Sequence, residues 1–183
     1  MGRLVIWRGV EEWLAEAAYV RVEDGRLSAH GTQLGAEPDP YRLDYSLRTG
    51  PDFVTETLEL SVLRGGALRR LLLGRDPDGN WTADDRPLPD VEGALDCDLA
   101  FSPLTNAMPI LRHGLREPGA EPRDFAMAWV AVPGLEIHRS PQRYEPMDER
   151  HVRFVSLDGT FTAELELDDD GLVVRYPRLA ERV

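Results

Sequence analysis

Two aspartates that alternate along the chain are the first candidates for chemistry. Asp96 and Asp98 flank Cys97, so a β-strand at this position would place both carboxylates on one face. Carboxylates held this close can raise the pKa of one of them for acid–base catalysis, or they can bind a metal ion. The structural alternative is a polar outer strand face neutralised by arginine, and we favour it. We therefore predict no catalytic residue, no metal ligand and no cofactor.

The histidines, the serines and the one cysteine lack the spacing of known catalytic motifs. His30, His113, His138 and His151 form no His-Glu-x-x-His pattern, and no serine lies in a Gly-x-Ser-x-Gly motif. Cys97 by itself cannot form an internal disulfide or a multi-cysteine zinc site. All 21 basic residues are arginine, which excludes a Schiff-base lysine, a Walker-A lysine and the ATP-binding lysine of protein kinases.

The charge balance narrows the range of partners. The chain has 33 acidic and 21 basic residues and a formal net charge of −12, so phosphate backbones and anionic membranes are repelled. No apolar run approaches the roughly 18 residues of a membrane span. The N-terminal apolar run is broken by Arg8 and lacks the features of a secretory signal. These observations predict a soluble, cytoplasmic protein that binds no nucleic acid and has no transmembrane segment.

The elements that must position these residues are mainly short strands. Apolar and polar residues alternate over residues 41–47, 57–62 and 160–167, which is typical of half-buried strands. Asp-Gly pairs, as at Asp24-Gly25, favour tight hairpins between such runs. The C-terminal third is thereby predicted to be a meander over about 151–157, 160–167 and 171–176. Strands at this spacing predict a mainly β, antiparallel sandwich or barrel in one domain, residues 1–183.

Three further segments complete the prediction. The segments from Glu11 to Ala18 and from Thr105 to His113 are candidate short helices. In the second segment, we expect Thr105 or Asn106 to cap the helix with its side chain, and Pro109 to be tolerated in the first turn. Residues 125–132 are apolar on both faces, which indicates a covered strand.

One segment carries a resemblance to a known family. Residues 95–112, Leu-Asp-Cys-Asp-Leu-Ala-Phe-Ser-Pro-Leu-Thr-Asn-Ala-Met-Pro-Ile-Leu-Arg, resemble the Asp-x-Asp-Leu…(Thr/Ser)-Pro-x-Thr-Asn-x-x-Pro-Ile-x-Arg signature of the bacterial glycolipid-binding domain family. Further segments follow in the same order, among them residues 41–47, 71–81, 143–144, 161–165 and 170–177. The resemblance extends over nearly the whole chain, and Ser-Pro-Leu-Thr-Asn is its most specific part.

The resemblance implies a fold and a function. The implied fold is a single curved antiparallel sheet that forms an incompletely closed barrel, with one or two short helices, similar to bacterial lipoprotein carriers. Its concave apolar face would hold a glycolipid or another long-chain amphiphile without catalysis. The alternatives are an enzyme that uses Asp96, Asp98 or His113 as acid or base, and an interaction module with a filled core.

A half-barrel of this kind would bind the tail inside and the head at its mouth. Each buried methylene contributes about 0.8 kcal/mol, so the tail supplies most of the affinity. Arginine presents a fixed fork to phosphate or vicinal hydroxyls and suits the head. We expect apolar residues to line the cavity and polar residues to contact the head. The predicted ligand-binding residues are Trp81, Met127 and Trp129 in the cavity, and Asn106, Arg112 and Arg143 at the head.

Overall fold

The computed structural model describes residues 1–159 and 161–183. Within these residues the chain is mainly β, with one α-helix, α1 (Ala107–Arg112), and 3-10 turns at Pro51–Phe53, Pro89–Val91 and Leu104–Asn106. In chain order the strands are β1 (Arg3–Gly9), β2 (Leu14–Glu23), β3 (Arg26–Gly35), β4 (Tyr41–Thr49), β5 (Thr55–Arg64), β6 (Ala67–Arg75), β7 (Trp81–Ala83), β8 (Arg86–Pro87), β9 (Asp96–Leu99), β10 (Arg123–Val130), β11 (Ile137–Pro146), β12 (His151–Ser156), β13 (Thr162–Leu167), β14 (Val173–Tyr176) and β15 (Ala180–Arg182).

All the strands belong to one curved sheet. Strands β1 to β8 form a first antiparallel meander, and β10 to β15 form a second. The meanders join where β1 pairs with β15, with Trp7 opposite Arg182. Strand β9 pairs in parallel with β10 at one edge, and β8 forms the other edge, so hydrogen bonds do not close the described sheet into a barrel. The predicted fold class, a mainly β and incompletely closed barrel, is confirmed.

The two halves of the sheet approach each other near β9. The backbone N–H of Thr55 donates to the carbonyl of Leu95 (3.0 Å), and the backbone N–H of Cys97 donates to Thr55 Oγ1 (3.0 Å). The Cys97 thiol is fully buried there, and burial raises its pKa to about 12. These contacts hold β9 beside the start of β5 without a ladder of backbone pairs among the described residues.

The hairpin predicted at Asp24-Gly25 and the predicted C-terminal meander are both present in the structure. Asp24 and Gly25 both have positive φ, 51° and 70°, as a type I′ turn between β2 and β3 requires. The C-terminal meander is confirmed as β12, β13 and β14, each one or two residues shorter than predicted. Thr160, where the middle strand was predicted to begin, lies outside the described residues.

The helix predicted from Glu11 to Ala18 is wrong, because the chain enters β2 at Leu14. Glu16 points into the interior beside Ala18, so the inward face of this strand carries a carboxylate that masks the alternation. Pairing on both sides, with Trp7 of β1 and Gln33 of β3 opposite Glu16, holds the segment extended.

The second predicted helix is confirmed as the 3-10 turn Leu104–Asn106 followed by α1. Its expected cap is wrong, because neither Thr105 nor Asn106 bonds to the helix N-terminus with its side chain. Thr105 Oγ1 donates to Asp98 Oδ1 (2.8 Å), and Asn106 Nδ2 donates to the carbonyl of Pro103 (3.2 Å). The Thr105 side chain therefore bonds to strand β9, and the Asn106 amide closes the 3-10 turn instead of capping α1.

Buried side chains form two apolar clusters. The larger cluster lies mainly against the first meander and is rich in leucine, including Leu43, Leu58 and Leu73. The smaller cluster lies against β10 to β14 and includes Tyr144 and Phe154. Residues 99–115 contribute side chains to both clusters, so this segment fills the space between the two halves. No described helix has the length and apolar character needed to cross a bilayer, and the cytoplasmic location stays a prediction.

Candidate ligand cavity

A cavity of about 420 Å³ opens on the inner face, against the second meander. Its volume falls within the roughly 300–1,000 Å³ of typical small-molecule sites. It is bounded by the end of β9, the segment that leads into α1, and strands β10, β11, β12 and β14. The lining residues used below are Asp98, Phe101, Ser102, Asn106, Trp129, His138, Ser140, Gln142, Phe154, Asp158, Phe161, Tyr176 and Leu179. We call this space the central cavity.

Asp98 is the centre of the polar floor. Its two carboxylate oxygens accept hydrogen bonds from Thr105 Oγ1 (2.8 Å) and from Gln142 Nε2 (2.7 Å). Burial raises the pKa of this carboxyl, and the two donors oppose the shift in part. Each carboxylate oxygen has a second lone pair. Asp98 can therefore accept further hydrogen bonds from a molecule in the cavity.

The Asn106 amide belongs to the floor, and the phenol of Tyr144, which lies outside the lining, is hydrogen-bonded to it. Tyr144 is fully buried, and its hydroxyl donates to Asn106 Oδ1 (2.9 Å). Ser140 and Gln142 belong to the same strand, and the Gln142 amide lies 3.4 Å from Ser140 Oγ. Because residues two apart in a strand share a face, β11 presents Ser140, Gln142 and Tyr144 together. The floor is thus a connected set of hydrogen-bonding groups.

Aromatic rings form the walls. The rings of Trp129 and His138, which are opposite each other on β10 and β11, lie 4.5 Å apart between centroids. The rings of Phe154, Phe161 and Tyr176 lie 6.0 to 6.1 Å from one another. Parallel pairing places Trp129 opposite Asp98, so an indole stands directly beside the polar floor. Such walls suit the apolar face of a ring-shaped ligand.

Phe101 stands at the rim of the cavity in an unusual conformation. Its φ is +65°, the left-handed region that a bulky residue rarely adopts. The flanking backbone holds it there: Ala100 N–H donates to the carbonyl of Val130 (3.0 Å), and Ser102 N–H donates to that of Leu99 (3.1 Å). Its side chain remains 36% exposed. A strained, exposed aromatic residue beside a cavity is typical of functional sites.

A buried glutamate supports the same segment from below. Ser102 Oγ donates to Glu16 Oε1 (2.7 Å), and the Tyr45 hydroxyl donates to the same oxygen (2.5 Å). Glu16 Oε2 has no hydrogen-bond partner among the described residues. Burial raises the pKa of Glu16 to about 7, and the hydrogen bonds from Tyr45, Ser102 and Gln33 limit this shift. A carboxyl that titrates near neutral pH therefore lies directly beneath the rim.

Of the six residues predicted to bind a ligand, Asn106 and Trp129 line the central cavity. Trp81 does not line it: the indole is buried in the larger cluster and donates to the carbonyl of Ala94 (2.9 Å). Met127 is also absent from the lining, because it is packed in the smaller cluster. The binding role of these residues stays a prediction.

The two arginines are paired away from the cavity lining. Arg112 is 6% exposed in its side chain and forms a two-pronged ion pair with Asp96, with Nη1 donating to Oδ1 (2.8 Å). Arg143 forms an exposed ion pair with Asp124 on the neighbouring strand, with Nη2 donating to Oδ2 (2.9 Å). Both guanidinium groups are thus already occupied by a carboxylate.

The favoured interpretation of Asp96 and Asp98 as a polar outer face is wrong. Both carboxylates face inward, because each finds partners there: Arg112 for Asp96, and Thr105 and Gln142 for Asp98. Their shared face was predicted correctly. The described residues contain no group of three or more His, Cys, Asp and Glu side chains that could hold a metal ion.

Several lining residues were missed by the sequence reasoning. His138, Ser140 and Gln142 alternate along β11, and this polar period of two could have indicated a polar inner face. Phe101 gave no signal of its own, since its backbone conformation follows from the contacts of its neighbours. Phe154 and Tyr176 could be recognised only as core candidates.

The fold and the site together define a class of protein. It is a half-barrel whose inner face holds a cavity with a polar floor and aromatic walls. The chain belongs to the glycolipid-binding family: the family model described as "Putative glycolipid-binding" matches residues 4–182, and the resemblance found in the sequence is confirmed.

A solved structure agrees with this assignment. The chain is similar to a DUF1089 family protein from Pseudomonas aeruginosa, known from a crystal structure, with 32% sequence identity and a TM-score of 0.81. The similarity covers 97% of this chain and 95% of the other. No match is found among the curated proteins.

Proposed function

We propose that this protein binds, without catalysis, an amphiphile with an uncharged sugar head, a glycolipid, and that the head occupies the central cavity. The observation that carries the proposal is the combination of a polar floor at Asp98 and Gln142 with aromatic walls at Trp129 and Phe154. The name of the family supports the same ligand class.

The floor and the walls match the two kinds of surface on a sugar. Sugar hydroxyls can donate to the free lone pairs of Asp98, and they can exchange hydrogen bonds with Ser140 and Gln142. The C–H faces of the ring can pack on the indole of Trp129. Ligand sites usually contain a small number of polar groups among apolar walls, and these polar groups fix the orientation of the ligand.

The charge of the lining favours an uncharged head over an anionic one. Asp98 and Asp158 line the central cavity, and its described lining contains no arginine. A phosphate or sulfate there would face two carboxylates without a cation. Arg112 and Arg143, which were expected to receive the head, are paired with Asp96 and Asp124. Of the two heads expected from the sequence, a phosphate and a group with vicinal hydroxyls, we therefore keep only the second.

Titration calorimetry of the delipidated protein tests the proposal. The probes are octyl glucoside, octyl sulfate and octyltrimethylammonium, each below its micellar concentration. We expect saturable binding of the glucoside and none of the sulfate, with the recovered glucoside unchanged by mass spectrometry. The absence of saturable glucoside binding would overturn the proposal. Hydrolysis of the glucoside would show that the protein is an enzyme and would contradict binding without catalysis. Preferred binding of the ammonium probe would show that the cavity selects a cationic head and not a sugar.

Two variants connect the binding to the cavity. Asp98→Asn removes a charged acceptor, so affinity for the glucoside should fall about tenfold or more, the usual effect of a lost hydrogen bond to a charged group. Trp129→Ala removes the stacking wall and should weaken binding without removing the carboxylate. Asp124→Asn, the same substitution on the exposed surface, is the matched control and should bind as the unaltered protein does. Equal affinities in Asp98→Asn and its control would contradict the assignment of the floor.

A further inference from the structure

Two smaller hollows continue from the central cavity along the rim of the sheet. The first, about 150 Å³, shares Phe101, Phe161 and Leu179 with the central cavity. The second, about 340 Å³, shares Glu12, Leu14 and Phe101 with the first. Phe101 thus borders all three spaces. We call the two hollows together the rim groove.

The first hollow of the rim groove has a mainly apolar wall. Leu14, Phe101, Phe161 and Leu179 form most of this wall. The charged pair there, Arg178 and Glu11, is joined by a hydrogen bond of 3.0 Å from Nε to Oε1. Glu12 lines this hollow as well, so the apolar side chains share the passage with this ion pair and one further carboxylate.

The second hollow continues outward with a mixed surface. Trp13, Leu14 and Val132 line it with the prolines Pro38 and Pro133, and the acidic residues Glu12 and Glu37 line it as well. Trp13 is 63% exposed at the outer end of the groove, although a large aromatic side chain is normally covered. The described structure thus places apolar side chains from the mouth of the central cavity out to Trp13.

The proposed function does not assign a binding surface to the alkyl chain of the ligand. The central cavity lies at the low end of the usual size range for ligand sites, and its floor is polar. A head that occupies it leaves too little room for a long chain as well, and an alkyl chain packed on the floor would desolvate the Asp98 carboxylate at a cost. The tail must therefore leave the cavity over an apolar surface.

We propose that the rim groove binds the alkyl chain of the amphiphile, with Phe101 as the partition between the sugar site and the chain site. This inference rests on the proposed function, since the head in the central cavity sets the direction of the chain. The groove is continuous with the cavity at Phe101 and Leu179, and this continuity selects an attached alkyl chain over a separate molecule. Phe101, whose backbone is held in the left-handed region, borders the cavity and both hollows at this junction.

A chain-length series measures the groove directly. The probes are methyl, hexyl, octyl and decyl glucoside, titrated below their micellar concentrations. Each methylene that becomes fully buried should tighten binding about fourfold, so affinity should rise steeply from methyl to octyl glucoside. The methyl compound reports the sugar site without the groove.

Leu14→Trp tests the path of the chain, because a larger side chain at the junction of the two hollows blocks it. We expect this variant to lose most of the gain from chain length while its affinity for methyl glucoside is unchanged. Leu63→Trp is the matched control: Leu63 is exposed on the outer face of β5, so the same substitution should leave the whole series as it is. If Leu14→Trp does not fold, as judged by its melting curve, Leu14→Glu places a charge in the groove and should give the same loss.

The outcomes separate the groove from the sugar site. A chain-length dependence that survives both Leu14 variants would overturn the groove and leave the proposed function intact. An affinity that does not change from methyl to decyl glucoside would do the same. No binding of any glucoside would overturn the proposed function and the groove together.

Discussion

The inner faces of the two meanders are covered in different ways. In the first meander, leucines such as Leu43, Leu58 and Leu73 are fully buried against the segment that carries β9 and α1. In the second meander, rings and amides such as Gln142 and Phe154 line a cavity. Aliphatic side chains in the first half interdigitate at the density of a crystal, whereas the rings and amides of the second half border an open space. We infer that the first half supplies stability and the second supplies the shape of the site.

The strongest test of this division lies in the segment that separates the halves. Arg112 of this segment forms a buried ion pair with Asp96 of β9, whereas Arg143 and Asp124 form an exposed pair between β11 and β10. Arg112→Met leaves the Asp96 carboxylate buried without its partner and should lower the free energy of unfolding by about 4 kcal/mol. Arg143→Met should lower it by less than about 1 kcal/mol, because water screens an exposed pair.

Urea unfolding of both variants, followed by fluorescence, gives the two values. A second comparison, Asp96→Asn in the Arg112→Met background, should recover part of the loss, since it removes the uncompensated charge. Equal destabilisation by Arg112→Met and Arg143→Met would show that the segment between the halves does not depend on its buried pair.

The next largest effect contrasts one residue from each half. Leu43→Ala should lower the free energy of unfolding by about 3 kcal/mol, because it leaves a cavity in the closed leucine cluster. Trp129→Ala should cost only about 1 kcal/mol, since Trp129 is half-buried beside an existing space. Denaturant curves measured under the same conditions check this order. A larger loss for Trp129→Ala would mean that the cavity wall is part of the stabilising core.

Glu16 is a buried carboxyl within the aliphatic half. Its ionisation makes the free energy of unfolding depend on pH. In the unfolded chain this carboxyl ionises near its ordinary pKa of 4.5, and in the folded chain near 7. The unfolded chain therefore binds fewer protons between these values, so the Glu16 contribution to stability falls as pH rises from about 4.5 to about 7. The fall should amount to up to about 3 kcal/mol and level off above this range.

Glu16→Gln isolates this contribution. We expect the difference in free energy of unfolding between the unaltered protein and this variant to change across pH 4.5 to 7 and to be constant at higher pH. Subtraction cancels the carboxylates whose pKa values are lowered by their partners, such as Asp124 beside Arg143 and Asp148 beside the backbone N–H of Arg150. A difference that does not change with pH would mean that folding leaves the pKa of Glu16 unshifted.

The sequence predicted the fold well because local signals determine most of it. Period-two runs and Asp-Gly turns specify a strand and its partner within a few residues, as at β2 and β3 around Asp24-Gly25. The exception at residues 11–18 has a physical cause, since Glu16 faces inward in a network that includes Tyr45 and Ser102, 29 and 86 residues away. No local pattern reports a partner at that distance.

The site was less predictable for the same reason. Trp129 and Asn106 were identified because aromatic residues and the signature segment are visible in the sequence. Arg112 was assigned to a ligand because a guanidinium suits one, yet the chain itself supplies the carboxylate of Asp96, 16 residues earlier. Which acceptor an arginine meets depends on how β9 and α1 pack, and this is a property of the folded chain.

The pairing of the first strand with the last has a consequence for how the protein folds. Each meander can form from neighbours in sequence, but the β1–β15 junction joins residues as far apart as Trp7 and Arg182. Contacts between such distant residues form slowly, because a long loop must close before they contribute stability. The Trp7 indole donates to the carbonyl of Val173 (2.8 Å) across this junction. Burial of that one indole during refolding should therefore mark the moment at which two independently formed meanders become one sheet.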